Sequence, residues 1–193
     1  MQDRISLTMF FATIATAFTI AFSGAVQASD EAREHDAVQI GYTDMDVSGG
    51  FDGPALLLQH GINSNHWLVF EHQALGNSDQ NHRYNRLALA HETALDEVHS
   101  VIFEWGIGKA RRSGQAAEYG ATFGVGWRGE LAEGFALSVS ANGDTASRTM
   151  VGGDEAFLRI GGEYDFGGGI SLLAHYDERE HSSQWQAAVR WSW

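Results

Sequence analysis

The sequence has no cysteine and a single proline, Pro54, among its 193 residues. The absence of cysteine excludes disulfide bonds and thiolate metal sites as sources of stability. The chain has 12 basic and 25 acidic residues, and its formal net charge of −13 is opposite to the basic surface that nucleic-acid binding requires. The 23 glycines and the scarcity of proline are typical of strands joined by tight turns rather than of helices.

Long apolar runs are also missing, except at the start of the chain. The first residues are polar and include Arg4, an apolar stretch follows, and small residues at Val26 and Ala28 end it. This order predicts a secretory signal peptide over residues 1–28, cleaved after Ala28, with an uncleaved membrane anchor as the alternative. Removing 28 of the 193 residues leaves 165, enough for one domain. No other segment approaches the ~20 apolar residues that a membrane-spanning helix needs.

Behind a polar tail at 29–36, which we expect on the periplasmic side, apolar and polar residues alternate in short segments. Because side chains along a strand point to opposite faces, such alternation gives each strand one apolar and one polar face. Each segment has about the 9–11 residues that a tilted membrane strand requires. The segments are 37–46, 54–62, 66–74, 84–95, 98–109, 118–129, 135–142, 155–166, 170–178 and 184–193.

Short and long connections alternate strictly between these segments. The short turns are 63–65, 96–97, 129–134 and 167–169, and the longer polar loops are 47–53, 75–83, 110–117, 143–154 and 179–183. This order is expected when turns face the periplasm and loops face the outside of the cell. The sequence therefore predicts an all-β fold for one domain at 37–193. The domain is a single up-and-down antiparallel transmembrane β-barrel of ten strands, with eight as the alternative number.

The last nine residues form the clearest two-faced strand. Trp185, Ala187, Val189, Trp191 and Trp193 share one face of it. The closing Val189, Trp191 and Trp193 resemble the signal that the barrel-assembly machinery reads in bacterial outer-membrane proteins. With the signal peptide and the small size, this ending resembles the OmpA/OmpX-type barrels and the general outer-membrane β-barrel domain family. The resemblance implies a location in the outer membrane of a Gram-negative bacterium, in contact with its lipids and lipopolysaccharide.

That family includes structural proteins, adhesins, narrow pores and lipid-modifying enzymes, so the fold does not decide the function. We expect a monomer with a non-enzymatic, structural or interaction role in the lipopolysaccharide-containing membrane, without catalytic residues or cofactors. A narrow porin-like channel for small ions or solutes is the first alternative. A soluble periplasmic barrel with an apolar interior is the alternative from another class of protein.

Several charged residues fall on the strand faces that should point into the barrel. An interior of this size is filled by side chains, and charges buried there need partners. We interpret these residues as an ion-pair network that closes and stabilises the barrel. A narrow path lined by the same residues is the alternative, and it would favour cations because carboxylates outnumber arginines. The residues are Glu71, Glu92, Glu104, Arg159, Glu163 and Arg190.

Basic residues gather at or near the predicted outer rim. Lipopolysaccharide presents phosphates, which arginine can bind through two hydrogen bonds at once. We therefore predict lipopolysaccharide contacts here, with ordinary loop charge as the alternative. The candidates are Arg83, Arg86, Lys109, Arg111, Arg112, Arg148 and Arg179.

The nine histidines do not predict a metal site. His66 and His72 are six residues apart, which is ~20 Å along a strand, so they cannot share one ion. Asp44, Asp46 and Asp52 could hold a divalent cation among lipid phosphates, although acidic residues at a loop are usually just solvated. We predict no protein metal site, because zinc needs three or four ligands.

An enzyme alternative depends on His181 and Ser183 in the last predicted loop, beside Glu178 and Glu180. A serine activated by histidine, with a carboxylate to orient it, is what acyl transfer requires. The pair resembles the His-x-Ser of outer-membrane lipid A deacylases. Gln184 stands where that family has asparagine, so a lipid A acyl hydrolase is the most distant of the alternatives.

Overall fold

The computed structural model describes residues 35–46, 50–146, 155–180 and 182–193. In these ranges the chain forms a closed barrel in which each strand pairs antiparallel with its sequence neighbours and the last strand pairs with the first. This confirms the predicted ten-stranded, all-β, up-and-down barrel and excludes the eight-stranded alternative. The strands are β1 (Ala37–Asp46), β2 (Phe51–Asn63), β3 (His66–Gly76), β4 (Asn81–Ala94), β5 (His99–Arg112), β6 (Glu118–Ala132), β7 (Phe135–Asp144), β8 (Glu155–Asp165), β9 (Ile170–Arg179) and β10 (Ser183–Ser192).

The connections give the barrel two different ends. One end, which we call the turn end, carries the connections 64–65, 95–98, 133–134 and 166–169. The first strand begins and the last strand ends at this same end. The opposite end, the loop end, carries 47–50, 77–80, 113–117, 145–154 and 180–182. In the part of the chain that the structure describes, no helix is long and apolar enough to cross a membrane.

Strands reach further toward the loop end than the sequence predicted. β2 begins at Phe51, β4 begins at Asn81 and β5 ends at Arg112, each three residues beyond the predicted segment. The polar residues there continue the strand ladder, as in the pairing of His82 with Arg112. Their polarity therefore does not mark the end of a strand, and the loops are shorter than predicted.

Three consecutive glycines form one of the turns at the turn end. Gly167, Gly168 and Gly169 join β8 to β9 with φ of 81°, 66° and 79°, a left-handed backbone that side chains disfavour. At Gly169 a Cβ would lie 2.1 Å from the carbonyl oxygen of Ser192. The glycine hydrogen lets β10 pass close to this turn before it pairs with β1.

The strand register separates an apolar exterior from a charged interior. Trp105 pairs with Phe123 on the outside, where their exposed fractions are 49% and 59%. The neighbouring Glu104 pairs with Gly124 on the inside. Large apolar side chains such as Ile40 and Ile160 are exposed around the outer face. The arrangement is the reverse of a soluble barrel with an apolar interior, so that alternative is wrong.

The interior is packed unevenly. Buried apolar side chains form small clusters inside the barrel. One cluster consists of Trp67, Val69, Ala88 and Ala90. Several inward positions of β5 and β6 have no side chain, which leaves room for long charged side chains from other strands. These positions are occupied by Gly106, Gly108, Gly120, Gly124 and Gly126.

Candidate functional site

The candidate site is the lumen of the barrel, where an arginine on β4 bridges two carboxylates. Arg86 Nε donates to Glu71 Oε2 on β3 at 3.1 Å, and Arg86 Nη1 donates to Glu104 Oε2 on β5 at 2.6 Å. Gln73 Nε2 donates to the second carboxylate oxygen of Glu71 at 2.8 Å. All three charged side chains are mostly buried, so each charge depends on its partners in the cluster.

A second cluster lies across the lumen on β8 and β9. Arg159 donates to Asp177 through Nε to Oδ1 at 2.7 Å and through Nη2 to Oδ2 at 2.9 Å. Arg179 Nη2 donates to Asp177 Oδ2 at 3.4 Å and its guanidinium lies 4.1 Å from the centre of the Phe157 ring. The Asp177 side chain is completely buried, and two arginines compensate its charge.

Arg159 separates two cavities of very different size. The cavity toward the turn end has a volume of about 390 Å³, whereas the one toward the loop end has about 40 Å³, room for only a few water molecules, and both are partly open. Arg159 lines both. The larger cavity is lined by, among others, Trp67, Glu92, Arg128, Glu163, His175 and Arg190. The two ion-pair clusters therefore occupy the lumen at mid-height, where the two cavities meet at Arg159.

The charges around the larger cavity are more loosely paired. Glu163 lies between Arg190 at 3.6 Å and Arg128 at 3.7 Å, distances longer than a hydrogen bond. At the mouth of this cavity, the His35 ring stacks on Trp67 with 4.2 Å between ring centres. Asp36 accepts the backbone N–H of Gly61 at 2.9 Å. The last two residues of the predicted tail are thus in contact with the barrel.

The structure gives all six predicted interior residues an inward position. Glu71, Glu104 and Arg159 belong to the mid-height clusters, and Glu92, Glu163 and Arg190 line the larger cavity. Sequence reasoning missed four lumen residues that complete these clusters. They are Arg86, Arg128, Asp177 and Arg179. Strand alternation puts one of them, Arg86, on the same face of β4 as the predicted Glu92, whereas β6 and β9 carry none of the six predicted residues.

Three of the predicted rim residues need correction. Arg86 lies inside the barrel because it shares its strand face with His82 and Tyr84, which also point inward. Arg112 and Arg179 lie near the loop end but on the inward face, since they pair with the inward His82 and Phe157.

The remaining rim candidates divide between the outer face and the undescribed part of the chain. Arg83, Lys109 and Arg111 are exposed on the outer face at the loop end. Arg148 lies outside the described residues.

The other chemical candidates do not assemble into a site in the described ranges. His181 lies outside the described residues, so the predicted pair with Ser183 has no geometry to report. Among the described residues, no three histidine, aspartate or glutamate side chains are grouped to hold a metal ion. Asp44 and Asp52 do face each other across β1 and β2, on the outer face.

Comparison with known proteins gives similarity in fold alone. No family model and no curated protein matches the chain. The NanC porin structure matches with a TM-score of 0.51 and 10% identity, covering 81% of this chain and 100% of that chain. The KdgM porin structure matches with a TM-score of 0.46 and 12% identity, covering 80% of this chain and 99% of that chain. The N-terminal β-barrel domain of Pseudomonas aeruginosa OprF matches with a TM-score of 0.43 and 10% identity, covering 81% of this chain and 98% of that chain.

These similar structures are outer-membrane β-barrel proteins. At such low identities the similarity extends to the barrel fold and no further. The narrower resemblance to the OmpA/OmpX-type family stays a prediction from the sequence.

Proposed function

We propose that the chain is an integral protein of the Gram-negative outer membrane, where it forms a barrel with a closed lumen and a structural or interaction role. The observation that carries this proposal is the position of the buried ion-pair clusters around Arg86 and Arg159, which occupy the lumen at mid-height. An open pore would need a continuous water-filled path, and the space above Arg159 holds only about 40 Å³.

The exterior supports the membrane location. Large apolar side chains are exposed on all ten strands, and aromatic residues stand among them near both ends of the barrel. Near the loop end, Tyr176 contacts Trp185 with 4.6 Å between ring centres. Near the turn end, Trp191 contacts Trp193 at 5.6 Å. Tyrosine and tryptophan favour the boundary between hydrocarbon and headgroups. We therefore infer that these two aromatic pairs lie at the two membrane surfaces.

The orientation follows from the connections. Outer-membrane barrels keep short turns in the periplasm and longer loops outside, so the turn end is periplasmic in this proposal. The exposed Arg83, Lys109 and Arg111 then lie at the outer leaflet, within reach of lipopolysaccharide phosphates. Val189 and Trp191 face lipid on the last strand, as the predicted assembly signal requires.

A combined fractionation and conductance experiment tests the proposal. The protein should be recovered with outer membranes and should migrate faster on gels before boiling than after it, as folded barrels do. In planar bilayers, the purified protein should give no sustained conductance. Recovery in the soluble fraction would contradict the membrane location, and a stable open conductance would contradict the closed lumen.

A gated narrow channel is the second candidate, because one side chain, Arg159, separates the two cavities. In that case Arg159→Ala should join the cavities and raise the frequency of conducting events in bilayers. Lys109→Ala, on the outer face, is the matched control, because it removes a charge without touching the lumen. If both variants are as silent as the unaltered protein, the channel is excluded.

The proposed role includes no catalysis. Mass spectrometry of lipid A from cells with and without the protein tests this part. Identical acyl patterns are expected, and a missing acyl chain that depends on Ser183 would establish the hydrolase instead.

A further inference from the structure

Four charged side chains around the larger cavity make no hydrogen bond with another described residue. Glu163 lies 3.6 Å from Arg190 and 3.7 Å from Arg128, distances beyond hydrogen-bond range. Arg128 also lies 3.7 Å from the exposed Glu130. Glu92 has no ion pair within the described ranges. We call these four side chains the cavity charges, and they are Glu92, Arg128, Glu163 and Arg190.

The arginines at mid-height are hydrogen-bonded, in contrast to those at the cavity. Arg86 and Arg159 donate to carboxylates over distances of 2.6 to 3.1 Å. A guanidinium has five N–H donors and a carboxylate has two acceptor oxygens, so the cavity charges keep their capacity for further hydrogen bonds. The Nε of Arg190 is buried and has no acceptor among the described residues. Because a buried donor without an acceptor is unfavourable, a bound molecule with acceptor groups would stabilise this part of the lumen.

The cavity charges have both signs, and this decides which kind of molecule they fit. Arg128 and Arg190 attract a carboxylate and repel an ammonium group, whereas Glu92 and Glu163 do the opposite. The third arginine at the cavity, Arg159, already donates two hydrogen bonds to a carboxylate. A purely anionic or purely cationic molecule would therefore meet two charges of its own sign. A molecule with one group of each sign avoids this.

The strand register places an apolar residue between a carboxylate and an arginine of the cavity. Glu92 of β4 pairs with Ile102 of β5, which in turn pairs with Gly126 of β6. Arg128 is the next inward residue along β6. The strands β4 and β6 are about 10 Å apart, twice the spacing of neighbouring strands. Since Ile102 also lines the cavity, a short hydrocarbon chain lying over it can join a group at Glu92 to a group at Arg128.

We propose that the turn-end cavity binds a small zwitterion, a molecule with one ammonium and one carboxylate group joined by a short hydrocarbon chain. The ammonium group donates to Glu92, and the carboxylate accepts from Arg128 and Arg190. A cavity of about 390 Å³ is in the range of small-molecule sites. Binding goes beyond the structural role proposed above and does not depend on the membrane location. In the proposed orientation the site faces the periplasm.

Three probes of the same length test the class of ligand. They are 6-aminohexanoate, hexanoate and hexylamine, titrated calorimetrically into the protein folded in non-ionic detergent micelles, with the heats for empty micelles subtracted. The zwitterion should bind at least tenfold more tightly than either single-charge probe. No binding of 6-aminohexanoate, or equal binding of hexanoate or hexylamine, would overturn the proposal.

Two substitutions test the assignment of the groups. Glu92→Gln should weaken the binding of 6-aminohexanoate about tenfold and abolish its advantage over hexanoate, because the ammonium group loses its partner. Arg128→Gln should weaken binding similarly and abolish the advantage over hexylamine. A merely structural role of either residue would weaken all three probes alike.

The control for charge is Glu97→Gln, in the exposed connection 95–98 and outside the cavity lining, which should leave binding unaltered. Gel mobility before boiling establishes that each variant is folded. Because Glu92 has no ion pair within the described ranges, Glu92→Gln should fold normally and decides the outcome even if Arg128→Gln does not fold. A folded Glu92→Gln protein that binds 6-aminohexanoate as tightly as the unaltered protein refutes the site.

Discussion

Arg159 and Asp177 face each other across β8 and β9 through two parallel N–H···O bonds of 2.7 and 2.9 Å. The geometry satisfies both carboxylate oxygens and uses two nitrogens of one guanidinium. Since Asp177 is completely buried, the pair replaces water as the partner of both charges. The stability of the lumen should therefore depend on keeping the pair whole rather than on keeping it charged.

We expect Asp177→Asn to lower the free energy of unfolding by about 3 kcal/mol, because it leaves the largely buried Arg159 without its carboxylate. Replacing both partners, with Arg159→Met and Asp177→Leu, should cost less, and the remaining cost should come from the loss of the 3.4 Å bond between Arg179 and Asp177. Urea unfolding in detergent micelles measures both variants. A double replacement that is less stable than the single one would contradict this view of the pair.

Because Glu71 and Glu104 share Arg86, the losses of unfolding free energy on neutralising each of them should not be additive. Glu71→Gln and Glu104→Gln should each cost about 1–2 kcal/mol, since the other carboxylate still compensates the guanidinium. The double variant should cost more than the sum, because Arg86 then loses both charges. The double-mutant cycle, measured by urea unfolding, gives the coupling free energy between Glu71 and Glu104. Strict additivity would show that the two carboxylates act independently.

Gly106 should not tolerate even one added carbon. A Cβ there would lie 2.2 Å from the Leu87 carbonyl oxygen and 2.6 Å from the Ala88 Cα, both on the paired strand β4. Gly106→Ala should therefore cost about 1–3 kcal/mol by forcing β4 and β5 apart. At Gly162 the nearest atom would be 3.5 Å away, on the Phe135 ring, so Gly162→Ala is the matched control and should be nearly neutral. Thermal unfolding of both variants, followed by gel mobility, makes the comparison.

The turn at 95–98 should depend on pH. Asp96 accepts from His99 Nδ1 and from the backbone N–H of Val98, and these bonds lower the pKa of Asp96 below its usual 3.8. A lowered pKa in the folded state stabilises the turn above pH 3.8, and this contribution is lost as the pH falls through the lowered value. Hydrogen exchange at the amides of Val98 and His99 should accelerate in Asp96→Ala at neutral pH. The difference from the unaltered protein should vanish in strong acid.

Strand alternation made most of this fold predictable. The residues of β1, 37–46, were predicted to the residue, because a barrel strand with one apolar and one polar face has a period of two that few other structures share. The same periodicity indicates which face each side chain occupies. On this periodicity Glu104 and Arg190 belong to the inward face.

Alternation does not indicate which residues meet. Arg159 and Asp177 are partners only because the turn at 166–169 sets the register of β8 against β9. Arg86 was assigned to the rim because the polar stretch before it suggested a loop, whereas β4 starts at Asn81 and carries Arg86 into the lumen. Depth in the barrel depends on strand ends and register, which are long-range properties of the closed sheet.

The unequal cavities also determine where a transmembrane voltage would act. An open aqueous space of about 390 Å³ carries the electrical potential of the compartment that it joins, so little voltage falls across it. Most of any potential difference would then fall across the narrower stretch at Arg159 and beyond it. A unit charge that crosses the full drop gains about 2.3 kcal/mol per 100 mV. Even a small displacement of this guanidinium would therefore couple strongly to the field.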